Sequence, residues 1–117
     1  MIGLNEHQRF FFYTEVCDMR KGIHGLSGIV RSQMHLDPED MSVYIFTNRR
    51  RNTMKILVWD RDGFLMYYKR LVKGTFDVPV VNKMNTLQID HAVLQYIFRG
   101  VKWNKIEFKK RHKKDYE

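Results

Sequence analysis

Three short apolar runs, separated by two polar turns, occupy the centre of this sequence. The runs cover residues 42–47, 54–59 and 64–69 and are rich in β-branched and aromatic residues, which favour strands. The turns at residues 48–52 and 60–63 are short enough to join neighbouring antiparallel strands. The second turn suits a type I geometry with its closing glycine in the left-handed region. The centre of the chain is therefore predicted to form an antiparallel meander.

Two main helices are predicted, one on each side of the meander. In the first, apolar residues recur at spacings of three or four, with Asp18 as the N-cap residue and an end before Pro38. The second is predicted over residues 91–99, between Asp90 as N-cap residue and Gly100 as the residue that follows the helix. The apolar positions of the first helix are Met19, Ile23, Leu26, Val30 and Met34.

Two further segments are expected to extend the sheet. Residues 8–13 predict an aromatic first strand, and residues 75–78 predict a short additional piece. The predicted fold class is α+β: a single small domain with an antiparallel sheet of about four strands and two main helices. We expect residues 1–103 to form this domain and residues 104–117 to form a mobile, basic C-terminal tail.

The predicted strands are apolar on both faces. In the second strand of the meander, Ile56 and Val58 alternate with Leu57 and Trp59, so each face receives large apolar side chains. We expect two helices to cover one face. The other face then needs cover from the N-terminal strand region, a ligand or a second copy of the chain, so a homodimer is an alternative to a monomer.

The charge of the chain is strongly positive and unevenly distributed. Among 117 residues, 21 are Lys or Arg and 13 are Asp or Glu, which gives a net charge of +8. Residues 48–74 hold eight basic and two acidic side chains, and residues 99–117 hold eight basic and three acidic ones. Such one-sided blocks repel themselves, so they favour a partner that carries negative charge, either a polyanion, with DNA as the expected one, or an acidic protein surface.

Cysteine content and hydropathy exclude several other classes. The single cysteine, Cys17, leaves no internal disulfide and no cysteine-rich zinc site, which fits a reducing compartment. Near the start, the longest apolar run spans only residues 10–13, far too short for a signal peptide or a membrane span. We therefore expect a cytoplasmic protein without a membrane partner.

The first candidate binding segment is the turn that carries Arg49, Arg50 and Arg51. Guanidinium groups on a turn face solvent and can bind phosphates through two hydrogen bonds each. A merely solvated loop is the alternative. We favour a binding role, because a hairpin has no need for three adjacent like charges.

Arg20 and Lys21 form a second candidate site, in the predicted first turn of the first helix. Cations are unfavourable there unless an anion binds to the helix end. Neutralisation by Asp18 is an equally good explanation. Interior glycines destabilise a helix, so their recurrence predicts close packing of the helix backbone on the sheet. These glycines are Gly22, Gly25 and Gly28.

A third candidate segment joins aromatic and basic residues. Lys69, Arg70 and Lys73 follow the pair Tyr67 and Tyr68, a combination that single-stranded nucleic acid grooves use for stacking and phosphate contacts. Aromatic strands more often belong to the core, and at most one of these tyrosines can face it. The full set of candidate nucleic-acid or partner-binding residues is Arg20, Lys21, Arg49, Arg50, Arg51, Lys55, Tyr68, Lys69, Arg70 and Lys73.

The sequence contains no signature of catalysis. Asp60 and Asp62 are explained by turn chemistry rather than by a metal ion, and the five histidines show no ligand spacing. We therefore predict no catalytic residue, no metal site and no cofactor. A small basic ribonuclease is the enzymatic alternative, since such enzymes stabilise phosphate charge without a metal. Its candidate residues are Tyr68, Lys69, Arg70 and His91.

Several short strings, in order along the chain, resemble one known family. The first is Asp-Met-Arg-Lys-Gly-Ile at residues 18–23, followed by Gly25 and Leu26. The family is the TnpB, or second-open-reading-frame, accessory protein of insertion-sequence family sixty-six. The further matching strings are 46–50, 55–57, 59–60, 62–64, 68–71, Gly74, Phe76, Pro79, Gly100 and Trp103.

This resemblance implies a bacterial accessory protein that acts in transposition beside a separate transposase. It names a context rather than a mechanism, because it implies no enzymatic activity. The transposase of the same element is accordingly a second expected partner. A protein–protein adaptor that uses an apolar face of the sheet is the alternative to a nucleic-acid-binding protein.

Overall fold

The computed structural model describes residues 2–79 and 83–99. Within these ranges, five strands form one mixed sheet in the order β4-β3-β2-β1-β5, and two helices pack on its opposite faces. This arrangement confirms the predicted α+β class. In chain order, the elements are β1 (Phe10–Tyr13), α1 (Ile23–Ser32), β2 (Val43–Thr47), β3 (Thr53–Asp60), β4 (Gly63–Arg70), β5 (Thr86–Ile89) and α2 (His91–Phe98).

The predicted meander is confirmed. Strands β2, β3 and β4 are antiparallel neighbours, with Ile56 of β3 opposite Ile45 of β2 and Tyr67 of β4. The expectation that Gly63 adopts a left-handed conformation in the β3–β4 turn is wrong. Gly63 pairs with Asp60, which leaves a turn of two residues, and Arg61 takes the positive φ of 59°. Two-residue hairpins favour a positive φ at this first central position.

The antiparallel sheet of about four strands is corrected in two respects. Strand β1 runs parallel to β2, with Phe11 opposite Tyr44, because α1 forms the crossover that such a pair requires. Strand β5 adds a fifth strand, antiparallel to β1, at the sheet edge. Residues 75–78 form no strand. Phe76 and Val78 are nevertheless buried, and they pack in the core as an irregular segment.

Helix α1 begins later than predicted. Gly22 is its N-cap residue, and the Asp18 side chain instead accepts a hydrogen bond of 2.9 Å from the backbone N–H of Arg20. That bond closes a local turn, which competes with helix formation. The expected close packing of the glycines on the sheet is also wrong: a Cβ atom added at Gly22 or Gly28 would meet no atom within 4 Å, and one added at Gly25 would first meet the Lys21 side chain, at 3.1 Å. The end of the helix before Pro38 is confirmed.

The expectation that both helices share one face is wrong. Leu26 and Val30 of α1 pack on the face that carries Tyr44 and Leu57. The opposite face is covered by α2, by the segment around Phe76 and by Leu4 of the N-terminal segment, through the residues Leu94, Ile97, Phe76 and Val78. A strand pattern that is apolar on both sides thus receives cover on both sides.

Helix α2 agrees closely with its prediction. The Asp90 side chain accepts a hydrogen bond of 2.8 Å from the backbone N–H of Val93, which is the geometry of an N-cap. The predicted helix-ending Gly100 and the tail at residues 104–117 lie outside the described residues. Over the described ranges, no helix has the length and apolar character needed to cross a membrane.

Candidate nucleic-acid interface

Two basic segments within residues 48–74 meet at one end of the sheet: the β2–β3 turn and the segment that follows β4. Thr53 lies opposite Arg70, and the backbone N–H of Leu71 donates to the carbonyl oxygen of Asn52 at 2.8 Å. The N–H of Phe76 donates to the carbonyl oxygen of Arg51 at 2.6 Å. The β2–β3 turn is therefore joined directly to the segment that leaves β4. We call the cations of these two segments the basic end: Arg49, Arg50, Arg51, Arg70 and Lys73.

Two asparagines hold the β2–β3 turn in a defined shape. The Asn48 side-chain oxygen accepts hydrogen bonds from the backbone N–H groups of Asn52 and Thr53, at 3.0 and 3.1 Å. Its amide nitrogen donates to the side-chain oxygen of Asn52 at 2.7 Å. Arg51 adopts the left-handed conformation with a φ of 56°. The arginines are thus displayed on a loop whose backbone is cross-linked by amide groups.

The five side chains of the basic end are all exposed. Among the described residues, the arginine ion pairs involve other positions: Arg9 with Asp40, Arg20 with Asp18, Arg31 with Glu39 and Arg61 with Asp60. The pairs at Arg9 and Arg31 have N···O distances of 3.1 Å. The basic end therefore concentrates cations that no such pair neutralises within the described part of the chain.

A cavity of about 240 Å³ lies beside the turn. Arg49 and Arg51 line it together with Glu15, so two basic residues and one acidic residue border the same space. Guanidinium groups offer paired donors to a phosphate, whereas the carboxylate offers acceptors. The remaining lining residues are Thr14, Val16, Thr47, Asn48 and Val78.

The second candidate site does not lie where the sequence placed it. Arg20 and Lys21 precede α1 in a loop, so neither occupies the first turn of a helix. The Arg20 guanidinium binds the Asp18 carboxylate, with a shortest N···O distance of 2.7 Å. This hydrogen bonding from Arg20 lowers the pKa of Asp18 to about 2. The structure therefore agrees with the alternative explanation, in which Asp18 neutralises the cation.

Two lysines of the candidate set, Lys55 and Lys69, bind backbone carbonyl oxygens within the fold. Lys55 is only 8% exposed, and its ammonium group donates to the carbonyl oxygens of Met19 and Lys21, at 2.7 and 2.8 Å. The ammonium group of Lys69 donates to the carbonyl oxygen of Phe98 at 2.6 Å, at the C-terminal end of α2. The prediction that these two lysines contact a nucleic acid or partner is therefore corrected, because both ammonium groups already bind backbone acceptors. The pattern of charges along the sequence could not predict acceptors that lie so far away in the chain.

The two tyrosines of β4 point to opposite faces. Tyr68 is 56% exposed on the α1 face, whereas Tyr67 is half-buried, with a hydroxyl that is shielded from solvent. This confirms that at most one of the pair faces the core. Tyr68 precedes Arg70 by two residues on one strand, so the two exposed side chains lie on the same face, and their Cα atoms are about 7 Å apart along the strand.

The residues of the ribonuclease alternative do not converge. Tyr68 and Arg70 lie on the α1 face of the sheet. His91 begins α2 on the opposite face, where its ring is 5.6 Å from that of Phe10. The ammonium group of Lys69 is engaged at the end of α2. A phosphate held by the first two residues is therefore separated from the histidine by the sheet.

Sequence comparisons place this chain in a family. The family model described as IS66 Orf2-like protein matches residues 8–108, which is most of the chain. This chain therefore belongs to the IS66 Orf2-like family, as its motifs had indicated. Membership supports an accessory role in insertion-sequence transposition.

Two curated proteins of Sinorhizobium fredii (strain NBRC 101917 / NGR234) are similar to it. "Uncharacterized protein y4jC" is 28% identical over 109 residues, which cover 93% of this chain and 92% of the relative. "Uncharacterized protein y4hO" is 28% identical over 103 residues, which cover 88% and 89%. No solved structure matches the chain.

Proposed function

We propose that this chain is a non-enzymatic accessory protein of transposition that binds DNA phosphates through its basic end. The observation that carries the proposal is the joining of two basic segments, distant in sequence, by hydrogen bonds of 2.8 and 2.6 Å at Leu71 and Phe76. The fold thereby gathers exposed cations that the sequence keeps apart.

This arrangement suits phosphate contacts better than base recognition. Each guanidinium group can hold a phosphate through two hydrogen bonds, and the fixed turn reduces the entropy lost on binding. Contacts of this kind position a protein on DNA without reading its sequence. Binding is therefore expected to be weakly specific and to weaken steeply with added salt.

Tyr68 would allow the proposed interface to bind single-stranded DNA as well as duplex DNA. Its exposed ring lies on the same face as Arg70, so a base that stacks on the ring leaves its phosphate near the guanidinium. Stacking accepts every base, which fits binding without sequence preference. Single-stranded DNA is therefore expected to bind at the same end of the sheet as duplex DNA.

A protein–protein adaptor is the second candidate function. The exposure of Met66 and Tyr68 on β4 favours this function. Together their side chains offer apolar contact area to a partner such as the transposase. Apolar contacts resist salt, whereas phosphate contacts do not. Association with purified transposase in high salt, without DNA, would support this candidate over the first.

The decisive experiment is a salt titration of binding to fluorescent duplex and single-stranded DNA. In the Arg49→Gln/Arg50→Gln/Arg51→Gln variant, the slope of log affinity against log salt should fall by roughly 0.9 for each duplex phosphate that the variant no longer binds. The matched control, Arg9→Gln/Arg31→Gln/Arg61→Gln, removes the same net charge away from the basic end. Equal slopes in the two variants would reduce the effect to net charge and would refute the proposed interface.

A further inference from the structure

Among the described residues, β4 is the longer of the two edge strands of the sheet. It spans eight residues, whereas β5 at the other edge spans four. Within the described part of the chain, β4 forms backbone hydrogen bonds with β3 alone. Short edges are self-protecting, but a long apolar edge offers a template for another strand. The charges of β4, Lys69 and Arg70, stand only at its last two positions.

The register identifies which residues of β4 face the open edge. The backbone N–H of Leu71 donates to Asn52, so this pair is a hydrogen-bonded one. Hydrogen-bonded and non-bonded pairs alternate along an antiparallel ladder, which makes Arg70 and Thr53 a non-bonded pair. By the same alternation, four residues of β4 turn both backbone polar groups outward: Phe64, Met66, Tyr68 and Arg70.

The side chains of these four residues lie on the α1 face, and most of that row is open. Phe64 packs at the margin of the α1 cluster, but Met66 is 36% and Tyr68 56% exposed. Leu26 and Val30 of α1 pack with residues of β1, β2 and β3, and Phe64 is the described β4 residue that joins this cluster. The row therefore offers backbone groups that bind no other described strand, together with exposed apolar side chains, and these are the two requirements of strand addition.

We propose that a second copy of this chain occupies the edge, with its β4 antiparallel to the first. One register pairs all four outward residues: Phe64 opposite Arg70 of the second copy, and Met66 opposite Tyr68 of the second copy. It forms about eight backbone hydrogen bonds between the copies. It also places a guanidinium against an aromatic ring and a thioether against another, both of which are favourable contacts.

Charge makes the edge complementary to itself only in this orientation. Both cations of β4 stand at its C-terminal end, and the basic end continues from there. A parallel partner would bring these charges together. The antiparallel partner separates Arg70 from its copy by roughly 20 Å, six residues of strand, and gives it an uncharged neighbour. The product is a continuous sheet with one basic end at each side of the junction.

Sedimentation of the full chain tests the dimer without DNA. At micromolar concentration, we expect twice the chain mass of 14.2 kDa. Tyr68→Pro removes an outward N–H but leaves the β3 hydrogen bonds intact, so this variant should sediment as a folded monomer. Tyr68→Thr removes the same ring but keeps the N–H, so it should still dimerise. A monomeric parent, or a Tyr68→Pro variant that dimerises as the parent does, would overturn the proposal.

Cysteine cross-linking tests the register. Tyr67 lies opposite its own copy in a non-bonded pair, whose Cα atoms stand about 4.5 Å apart, within the range of a disulfide. Oxidised Tyr67→Cys should form a covalent dimer, whereas Arg61→Cys, at the hairpin turn, should not. Native Cys17 is buried and adds no cross-link. Cross-linking through position 61 and not 67 would show that another surface joins the copies.

Discussion

The ammonium nitrogen of Lys55 lies 2.8 Å from the carbonyl oxygen of Lys21, and it also donates to Met19 at 2.7 Å. A central strand thereby holds the loop that precedes α1. The ring of Tyr68 lies 5.6 Å from the same ammonium group, which places this loop next to the open row of β4. One lysine thus couples the start of the helix to the sheet edge.

Replacing this lysine should destabilise the protein. Lys55→Met keeps the apolar stem but leaves two carbonyl oxygens without their donor, so the free energy of unfolding should fall by about 1–3 kcal/mol. Urea unfolding, followed by circular dichroism, measures the change. The matched control is Lys73→Met, at an exposed position, which should stay within about 0.5 kcal/mol of the parent. An unchanged urea midpoint in Lys55→Met would contradict the anchoring role.

Helix α2 depends on its N-cap. Asp90→Ala removes the acceptor for the Val93 N–H and should reduce the free energy of unfolding by about 1 kcal/mol. Asp90→Asn keeps an oxygen acceptor and should lose much less. The same unfolding assay compares the two variants. If both lose the same stability, the loss comes from the negative charge of Asp90 and not from the hydrogen bond.

The accuracy of the sequence predictions follows the range of the interactions involved. Asp90 caps a helix through a bond to a residue three positions away, and the β3–β4 hairpin closes across two residues, so short strings predict both. Strand β5 pairs with β1 across most of the chain, with Thr86 opposite Tyr13. Nothing in four residues of local pattern indicates that distant partner.

For the candidate site residues too, local properties could be predicted from the sequence and long-range contacts could not. Exposure of Arg49, Arg50 and Arg51 follows from their place in a tight turn, which is a local property. The acceptors of Lys55 and Lys69 lie at Met19, Lys21 and Phe98, far away in sequence, and only the fold brings them within reach. Charge patterning therefore predicted the exposure of the three turn arginines, but it could not predict that Lys55 and Lys69 donate to backbone acceptors.

The single thiol should be inert in the native protein. Cys17 is 2% exposed, and burial raises the pKa of its thiol to about 11. Because the thiolate is the reactive form, native protein at pH 8 should label far more slowly with a maleimide or disulfide reagent than urea-unfolded protein. The exposed thiol of Arg61→Cys provides the rapid reference. Labelling of native Cys17 at the rate of that reference would contradict its burial.

The ion pair before α1 should titrate in acid. Hydrogen bonds from the Arg20 side chain and backbone lower the pKa of Asp18 from 3.8 to about 2. A carboxyl whose pKa is lowered by folding stabilises the native state above its unfolded pKa, and this contribution is lost as the pH falls from about 4 to about 2. In Arg20→Gln, NMR titration should show a raised pKa for Asp18 that still lies below its ordinary value, because the backbone N–H of residue 20 keeps its hydrogen bond to the carboxylate. Lys21→Gln removes only a nearby charge that forms no hydrogen bond to the Asp18 carboxylate, so it should shift the pKa of Asp18 little. Equal shifts in the two variants would show that charge alone, and not the hydrogen bond from Arg20, sets the acidity of Asp18.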